Sequence, residues 1–435
     1  MTRLIILCKA MVLLALLFAT MPALPYSVQT HESLIDLAWK ASIRPLLVKQ
    51  FPGLTELQLR EAHAYAYGGC AIQDLGYYPF ANGFFSDLTH YVRSGDFVLS
   101  LLHNAQTPDE LAFAIGALSH YIGDSIGHGG AVNHSVAIEF PKLEKAYGPE
   151  VNYAQNPHAH VQVEFAFDIN QLSKHHFAPS DYLEHVGLKI PARLLRKAFF
   201  ETHGLNLPGL IGTRDAALKT YRFAVRSFLP AIARAETILH KFPSDMPSES
   251  GDQLAMALRQ AEAENGWEQY RENPGVGSHV LAGLIFILPK VGTLALLKLR
   301  GPNPRTEDLY INSVNRSVAA LRLVLANFDS ISTYVPNRDL DTGEKVKPGG
   351  YKLTDLTYAK LLSELTKHPE RPIPSRLKQD LTEYYADPLA PITTKGNPEE
   401  WAEVQSNLKV LQSMSTVSDP DAVGNAVLNH VLLAP

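Results

Sequence analysis

Apolar residues recur at helical spacing along almost the whole chain, and no long run alternates between apolar and polar positions. Pro108 precedes two acidic residues, which is typical of a helix start because acidic side chains favour the positive end of the helix dipole. The glycine pairs at 68–69 and 129–130 predict turns. The sequence therefore predicts an all-α protein, with helices over 33–48, 86–102, 108–127, 160–173, 189–202, 214–240, 253–268, 306–333, 352–366, 376–385 and 398–413.

One of these helices carries polar side chains within an apolar stretch. His120, Asp124 and His128 follow one another at four-residue steps in SHYIGDSIGHGG, residues 119–130. Each step turns a helix by only about 40°, so the three side chains lie on one narrow face. Burying such groups costs several kcal/mol unless something pairs with them. The stripe therefore requires a binding partner.

Further imidazole and carboxylate groups lie elsewhere in the first half of the chain. HAHVQVEFAFD places His160 and Glu164 four residues apart, Asp74 follows a glycine pair, and His90 and His31 lie in SDLTHYV and YSVQTHE. Imidazole nitrogen and carboxylate oxygen are the ligands that zinc takes where thiolate is absent. Two stripes of this type favour a shared cluster of two or three metal ions. An ordinary hydrogen-bonded pair remains the alternative for any one of them.

The N-terminus has the composition of a targeting segment. Residues 1–25 carry Arg3 and Lys9, then a short apolar run, then small residues and prolines, which predicts a cleaved signal peptide; an uncleaved membrane anchor is the alternative. Cleavage would remove two positive charges, so the net charge of −5 would become more negative, which argues against a broad nucleic-acid-binding surface. We expect a secreted or periplasmic protein, with Cys70 as a small buried residue and no intrachain disulfide.

A Pro- and Ser-rich stretch predicts the domain organisation of the 435 residues. It lies at 241–252 and separates an N-terminal domain, residues 26–240, from a helical C-terminal region, residues 241–435. Within that region, the segment 280–299 is apolar and nearly long enough to cross a bilayer. This segment has three interpretations: a buried helix pair, a surface that contacts a membrane, or a true membrane span.

A polar loop at 336–350 lies further along the same region. It contains the sequence DLDTG, which has part of the ligand spacing of a calcium loop. The full spacing is missing, so we expect an exposed turn, with a calcium loop as the alternative.

The order of the motifs resembles that of the zinc-dependent phospholipase C family. Relatives of that family include the catalytic domain of glycosylphosphatidylinositol-specific phospholipase D and the zinc-dependent single-strand nucleases. The matching stretches are THESLIDLA, AYGGCAIQD, THY, SHYIGDSIGH and HVQVE, within residues 26–175. The resemblance implies an all-α phospholipase C/nuclease-like domain with a metal cleft, followed here by a helical C-terminal extension.

The resemblance also implies how the residues share three zinc ions. Two ions are each held by three side chains: His90, His120 and Asp124 for the first, and His128, His160 and Glu164 for the second. The third is held by His31, by Asp124 as a bridge, and by the amine and carbonyl of the mature N-terminal residue, which we expect to be Tyr26. Asp74 would either join the first ion or act as the general base.

The resemblance further implies a secreted phosphoester hydrolase of phospholipase C type, which cleaves phospholipid head groups with metal-activated water. A single-strand nuclease and a non-catalytic, zinc-stabilised, membrane-associated protein are the alternatives. The expected partners are a phospholipid or another phosphodiester and a membrane surface contacted through 280–299, with no double-stranded nucleic acid and no protein partner. His134 and His158 lie in the long gap between His128 and His160 and are alternative ligands.

Overall fold

The protein is built almost entirely of helices. The structure, a computed structural model, describes residues 28–78, 80–207, 214–230, 232–233, 249–271, 301–331 and 334–418. The helices in chain order are α1 (Val28–Ala38), α2 (Arg44–Gln50), α3 (Glu56–Ile72), α4 (Gly83–Tyr91), α5 (Ser94–Asn104), α6 (Pro108–Gly127), α7 (Asn133–Glu139), α8 (Pro141–Tyr147), α9 (Pro157–Ser173), α10 (Ser180–Val186), α11 (Ala192–His203), α12 (Arg214–Phe223), α13 (Glu249–Asn265), α14 (Pro304–Ala326), α15 (Phe328–Ile331), α16 (Lys352–Thr366), α17 (Ser375–Tyr384) and α18 (Pro398–Ser413). Among these residues, the strands are limited to a parallel pair, β1 (Ile373–Pro374) and β2 (Thr416–Val417). The all-α prediction is confirmed.

Helix α6 lies at the centre of the fold and has the bounds that the sequence predicts. Its start is capped by Thr107, whose hydroxyl accepts a hydrogen bond from the N–H of Glu110, and Pro108 occupies the first turn. The side chains of Phe113, Ile115 and Tyr121 are fully buried against the neighbouring helices. The helix packs most extensively along α3, and it also contacts α5 and α14. It is thus a core helix that places its polar stripe in the interior.

Both glycine pairs lie within helical segments, so the prediction of turns there is wrong. Gly68 and Gly69 are inside α3, and Gly129 lies in a π-helical turn, His128–Val132, that joins α6 to α7. A Cβ atom on Gly69 would lie 2.0 Å from the carbonyl oxygen of Phe113. These glycines therefore permit close approach between backbones rather than a change of chain direction.

Two further helical regions differ from the predictions. Helix α3 was not predicted, because its C-terminal half is buried on almost every side and shows no amphipathic stripe. Its start does carry a local signal: Thr55 and Gln58 form a reciprocal capping box. The single helix predicted over 86–102 is broken into α4 and α5 at Arg93, whose backbone is left-handed with φ of 53°.

The loop at 336–350 is largely buried in its first half, so the expectation of an exposed turn is wrong. Asp339 accepts hydrogen bonds from the N–H groups of Asp341 and Thr342 and from the hydroxyl of Thr354. The guanidinium of Arg338 donates to the carbonyl of Gly343. These polar groups can be buried because each of them has a partner within the protein.

Several predictions concern residues outside the described ranges. They are the signal peptide at 1–25, the N-terminal ligand Tyr26 and the apolar segment 280–299. The division at 241–252 stays a prediction as well. Within the part of the chain that the structure describes, no helix is long and apolar enough to cross a membrane.

Candidate metal centre

Eight of the nine predicted site residues come together in the interior. Helix α6 supplies the polar stripe, and helix α9, capped by Asn156, supplies the second pair. Helices α1 and α4 and a 3₁₀ turn after α3, Gln73–Tyr77, supply the others. The side chains brought together are His31, Asp74, His90, His120, Asp124, His128, His160 and Glu164, and none of these residues is more than 2% exposed.

The ligand atoms of Asp74 and Asp124 both lie close to the imidazoles of His90 and His120. Oδ1 of Asp74 lies 3.2 Å from Nε2 of His90 and 3.5 Å from Nε2 of His120, and the two imidazole nitrogens are 3.5 Å apart. Oδ2 of Asp124 lies 3.4 Å from Nε2 of His90 and 3.0 Å from Nε2 of His120. Tetrahedral zinc, with bonds of about 2.0–2.1 Å, separates its ligand atoms by about 3.3 Å. The spacing of the Asp74, His90 and His120 atoms fits three ligands of one zinc ion. Asp124 approaches the same two imidazoles, so Asp74 can either join the ion or act as the base.

A second group consists of His128, His160 and Glu164. Oε1 of Glu164 lies 3.2 Å from Nε2 of His160 and 3.6 Å from Nε2 of His128. Both oxygens of Glu164 and both ring nitrogens of His160 are buried and make no hydrogen bond within the described protein. Leaving such groups unsatisfied costs about 1–3 kcal/mol each, and more for a charged group. A cation bound between these side chains would remove that cost, so the donor set fits a second zinc ion.

Asp124 connects the two groups with a third. While its Oδ2 faces His90 and His120, its Oδ1 lies 3.2 Å from Nε2 of His31 and 3.6 Å from Nε2 of His128. The ring of His31 stacks on that of His120 with centroids 4.1 Å apart. Asp124 is therefore placed to bridge neighbouring ions, as the resemblance implies.

Hydrogen bonds to main-chain carbonyls orient two of the imidazoles. The Nδ1 atom of His90 donates to the carbonyl of Ser86 over 2.8 Å, and that of His120 donates to the carbonyl of Cys70 over 2.9 Å. These bonds select the tautomer whose Nε2 lone pair faces the cluster, which is the usual arrangement for a histidine ligand. The sequence pattern did not reveal these carbonyls, because any residue supplies one. Cys70 is buried, as predicted.

The buried charges act on one another. Burial alone would raise the pKa of Asp124, but the charges of His120, His128 and His31 outweigh it and hold that pKa well below its usual range. Burial, together with the charge of His128, lowers the pKa of His160 well below its usual range. Burial raises the pKa of Glu164 well above its usual range. Burial would lower the pKa of His90, but Asp124 and Asp74 raise it well above its usual range. A metal ion needs the ionised carboxylate and the neutral imidazole, so its binding at these residues would release protons.

The two alternative ligands lie outside the cluster. His134 is at the surface with Nδ1 at 3.3 Å from the carbonyl oxygen of Pro149, and His158 is exposed at the start of α9. The cluster instead uses His128, at the start of the π-helical turn. Local π-helical geometry is frequent at functional sites.

Asp168 has a structural role that the sequence analysis did not assign. Its two carboxylate oxygens accept hydrogen bonds of 3.0 Å from the N–H of Gln29 and from the hydroxyl of Thr30. These residues immediately precede His31, so Asp168 fixes the start of α1 against α9. A sequence signal existed, because Asp168 follows Glu164 by four residues and shares its helix face.

The comparison with known proteins agrees with this geometry. Residues 30–206 match the model of a protein family described as zinc dependent phospholipase C. No curated protein and no solved structure gives a match to this chain. The matched range contains every one of the clustered side chains from His31 to Glu164. The resemblance of the motifs is thus confirmed over residues 30–206, the range that matches the family model of zinc-dependent phospholipase C.

Proposed function

We propose that this protein is a zinc-dependent hydrolase that cleaves phospholipids in the manner of a phospholipase C, with three zinc ions per chain. The observation that carries the proposal is the buried cluster of imidazole and carboxylate groups at the spacing of zinc ligands, in which Asp124 faces more than one ligand group. Such multi-metal sites suit phosphoester cleavage, since they can stabilise both the attacking and the leaving oxygen.

The ligand set favours an anionic substrate. It contains three carboxylates, those of Asp74, Asp124 and Glu164, together with imidazoles that ligate in the neutral form. Three divalent ions exceed the charge of three carboxylates, so the loaded site retains positive charge. That charge attracts a phosphodiester even though the chain as a whole has a net charge of −5.

Asp74 is the residue to which we assign the proton transfer. When bound, zinc lowers the pKa of water and polarises phosphoryl oxygens. The Asp74 carboxylate orients the attacking water and accepts its proton as the new bond to phosphorus forms. The bond between phosphorus and the glycerol oxygen breaks, and that oxygen takes up a proton as diacylglycerol leaves. A general base contributes about 10²–10⁴ in rate.

We also propose that the active protein is secreted or periplasmic. The support is the composition of residues 1–25, whose removal would expose a new N-terminus shortly before His31. Contact with a membrane surface through the apolar segment 280–299 belongs to the same proposal.

The experiment that tests the function compares two substrates and two variants. The mature protein, purified with zinc, is assayed in parallel on short-chain phosphatidylcholine and on single-stranded DNA, and the lipid products are identified. We expect diacylglycerol and a phosphorylated head group. Asp74→Asn should reduce the rate by at least about 100-fold, whereas Asp181→Asn, a change of the same type at an exposed position of α10, should leave it unchanged.

Three outcomes would contradict the proposal. Zinc-dependent cleavage of DNA without lipid hydrolysis would assign the site to a nuclease. Release of phosphatidic acid instead of diacylglycerol would place the cleaved bond on the other side of phosphorus. A protein that holds zinc and cleaves neither substrate would be a non-catalytic zinc protein.

A further inference from the structure

A loop from the C-terminal region lies directly on the elements that carry the metal ligands. It comprises residues 336–351, here called the C-terminal loop, and it follows the family match, which ends at residue 206. The N–H of Leu340 donates to the carbonyl of His90 over 3.2 Å. The hydroxyl of Tyr121, next to His120, donates to the carbonyl of Pro336 over 2.6 Å. The loop is thus hydrogen-bonded to the backbone of one candidate ligand, His90, and to the residue next to another, His120.

The backbones of the loop and of the metal-bearing helix are in close contact. A Cβ atom on Gly343 would lie 2.1 Å from the carbonyl oxygen of Ser125, and one on Gly129 would lie 2.6 Å from that of Thr342. Ser125 follows Asp124, and Gly129 follows His128. Only glycine fits at both positions, so the backbone of the loop lies directly against the backbone at the residues that follow Asp124 and His128.

Asp341 connects the loop by hydrogen bonds to segments that carry or precede candidate ligands. The hydroxyls of Tyr91 and Tyr351 donate to its Oδ2 atom over 2.9 Å and 2.6 Å, and the side-chain amide of Asn133 donates to its carbonyl over 2.9 Å. Tyr91 follows His90 in the chain. Asp341 is only 3% exposed, so these bonds are formed away from water.

The same network continues to the second ligand group. The hydroxyl of Tyr351 accepts a hydrogen bond of 3.2 Å from the N–H of Ala154. The preceding residue, Tyr153, packs the edge of its ring against the ring of His160, with centroids 5.6 Å apart. One carboxylate therefore links the segment that carries His90 to the segment that precedes His160.

We propose that Asp341 is a positioning residue of the metal centre, and that the C-terminal loop is part of the machinery that holds the ligands in place. Hydrogen bonds to a carboxylate are stronger than hydrogen bonds between neutral groups, because the acceptor is charged. Metal ligands have to be held within about 0.5 Å of their working geometry by such supporting contacts. The proposal rests on the metal centre described above and is independent of which phosphoester is cleaved.

The test compares matched tyrosine variants in the full chain. Tyr351→Phe removes the hydroxyl that binds Asp341. Tyr358→Phe removes an equivalent hydroxyl from a buried tyrosine that donates to Asp380 over 3.0 Å and lies outside the loop. Asp341→Asn, which keeps the side-chain shape and removes the charge, is the third variant. Zinc affinity is measured by competition with a chelating dye, and ligand geometry by the visible spectrum of the cobalt-substituted protein.

We expect Tyr351→Phe and Asp341→Asn to weaken at least one bound zinc ion by about tenfold, because loss of a supporting contact costs about 10–100-fold in metal affinity. The cobalt spectrum should change in both variants, and Tyr358→Phe should match the wild-type protein in both measurements. If Asp341→Asn does not fold, Tyr351→Phe decides, since it removes a single hydroxyl. Unchanged affinity and an unchanged spectrum in Tyr351→Phe would overturn the proposal. Because neither readout involves a substrate, failure to hydrolyse phospholipid would contradict the proposed function and leave this result intact.

Discussion

The crossing of α3 and α6 determines where His120 lies, so one added methyl group there should disturb the metal centre. A Cβ atom on Gly116 would lie 2.1 Å from the carbonyl oxygen of Ala66 and 2.8 Å from the amide nitrogen of Cys70. Real Cβ contacts shorter than 3.0 Å are essentially never found. Gly116→Ala therefore forces the two helices apart by about 1 Å, because backbone atoms on both sides cannot rotate away as side chains can.

Opposing effects decide the change in the free energy of unfolding. Alanine has a higher helix propensity than glycine, which stabilises by about 1 kcal/mol. Overpacking of a core contact costs about 1–3 kcal/mol. The separation also lengthens the 2.9 Å hydrogen bond from Nδ1 of His120 to the carbonyl of Cys70, whose loss costs about 1 kcal/mol. The net expectation is a destabilisation of about 1–3 kcal/mol.

The same displacement of the helices should also reduce kcat/KM strongly, even where the loss in the free energy of unfolding is small. A reacting group misplaced by about 1 Å costs about 100-fold in rate. The assay measures urea unfolding, zinc content and kcat/KM on a soluble phosphodiester for Gly116→Ala. The control is Gly83→Ala at the start of α4, where the added Cβ would meet nothing closer than a Tyr77 ring carbon at 4.0 Å. A Gly116→Ala protein as stable as the wild type, with unchanged zinc content and activity, would refute the reasoning.

Three further predictions follow from the site and its surroundings. Asp124→Ala should lower the zinc content per chain by more than Glu164→Ala, because Asp124 faces several ligand groups; equal losses by elemental analysis would contradict a bridge. Burial lowers the pKa of His203 to about 3, below the ordinary 6.5, while its Nε2 donates to the carbonyl of Val92. The unfolded chain thus binds the proton first, and stability, complete above about pH 6.5, falls by about 2 kcal/mol at pH 5. We expect His203→Gln to lose less unfolding free energy than the wild type between pH 6.5 and pH 5, as measured by denaturation curves at the two pH values. An equal loss in the variant and the wild type would contradict the prediction. N-terminal sequencing of the secreted protein should begin at Tyr26.

Much of the helical framework could be predicted because its signals are local. Helices α6, α16 and α18 have the predicted bounds. Apolar spacing marks all three, and a capping residue followed by proline marks the starts of α6 and α18. Helix α3 escaped prediction because a helix buried on nearly all sides has no polar face to reveal its period. The glycine pairs at 68–69 and 129–130 were misread as turns, because a glycine that permits backbone contact and one that permits a turn look identical in sequence.

The sequence by itself determined which side chains share one face of a helix, because the four-residue steps of His120, Asp124 and His128, and of His160 and Glu164, follow from the geometry of a single helix. Only the tertiary structure decided how these side chains are shared. It placed Asp74 beside His90 and His120, turned the two oxygens of Asp124 toward different groups and left His134 at the surface. It also buried the C-terminal loop against the ligand-bearing helices, through contacts between residues some 200 to 250 positions apart. Such contacts depend on how helices cross, and no local period in a sequence encodes a crossing.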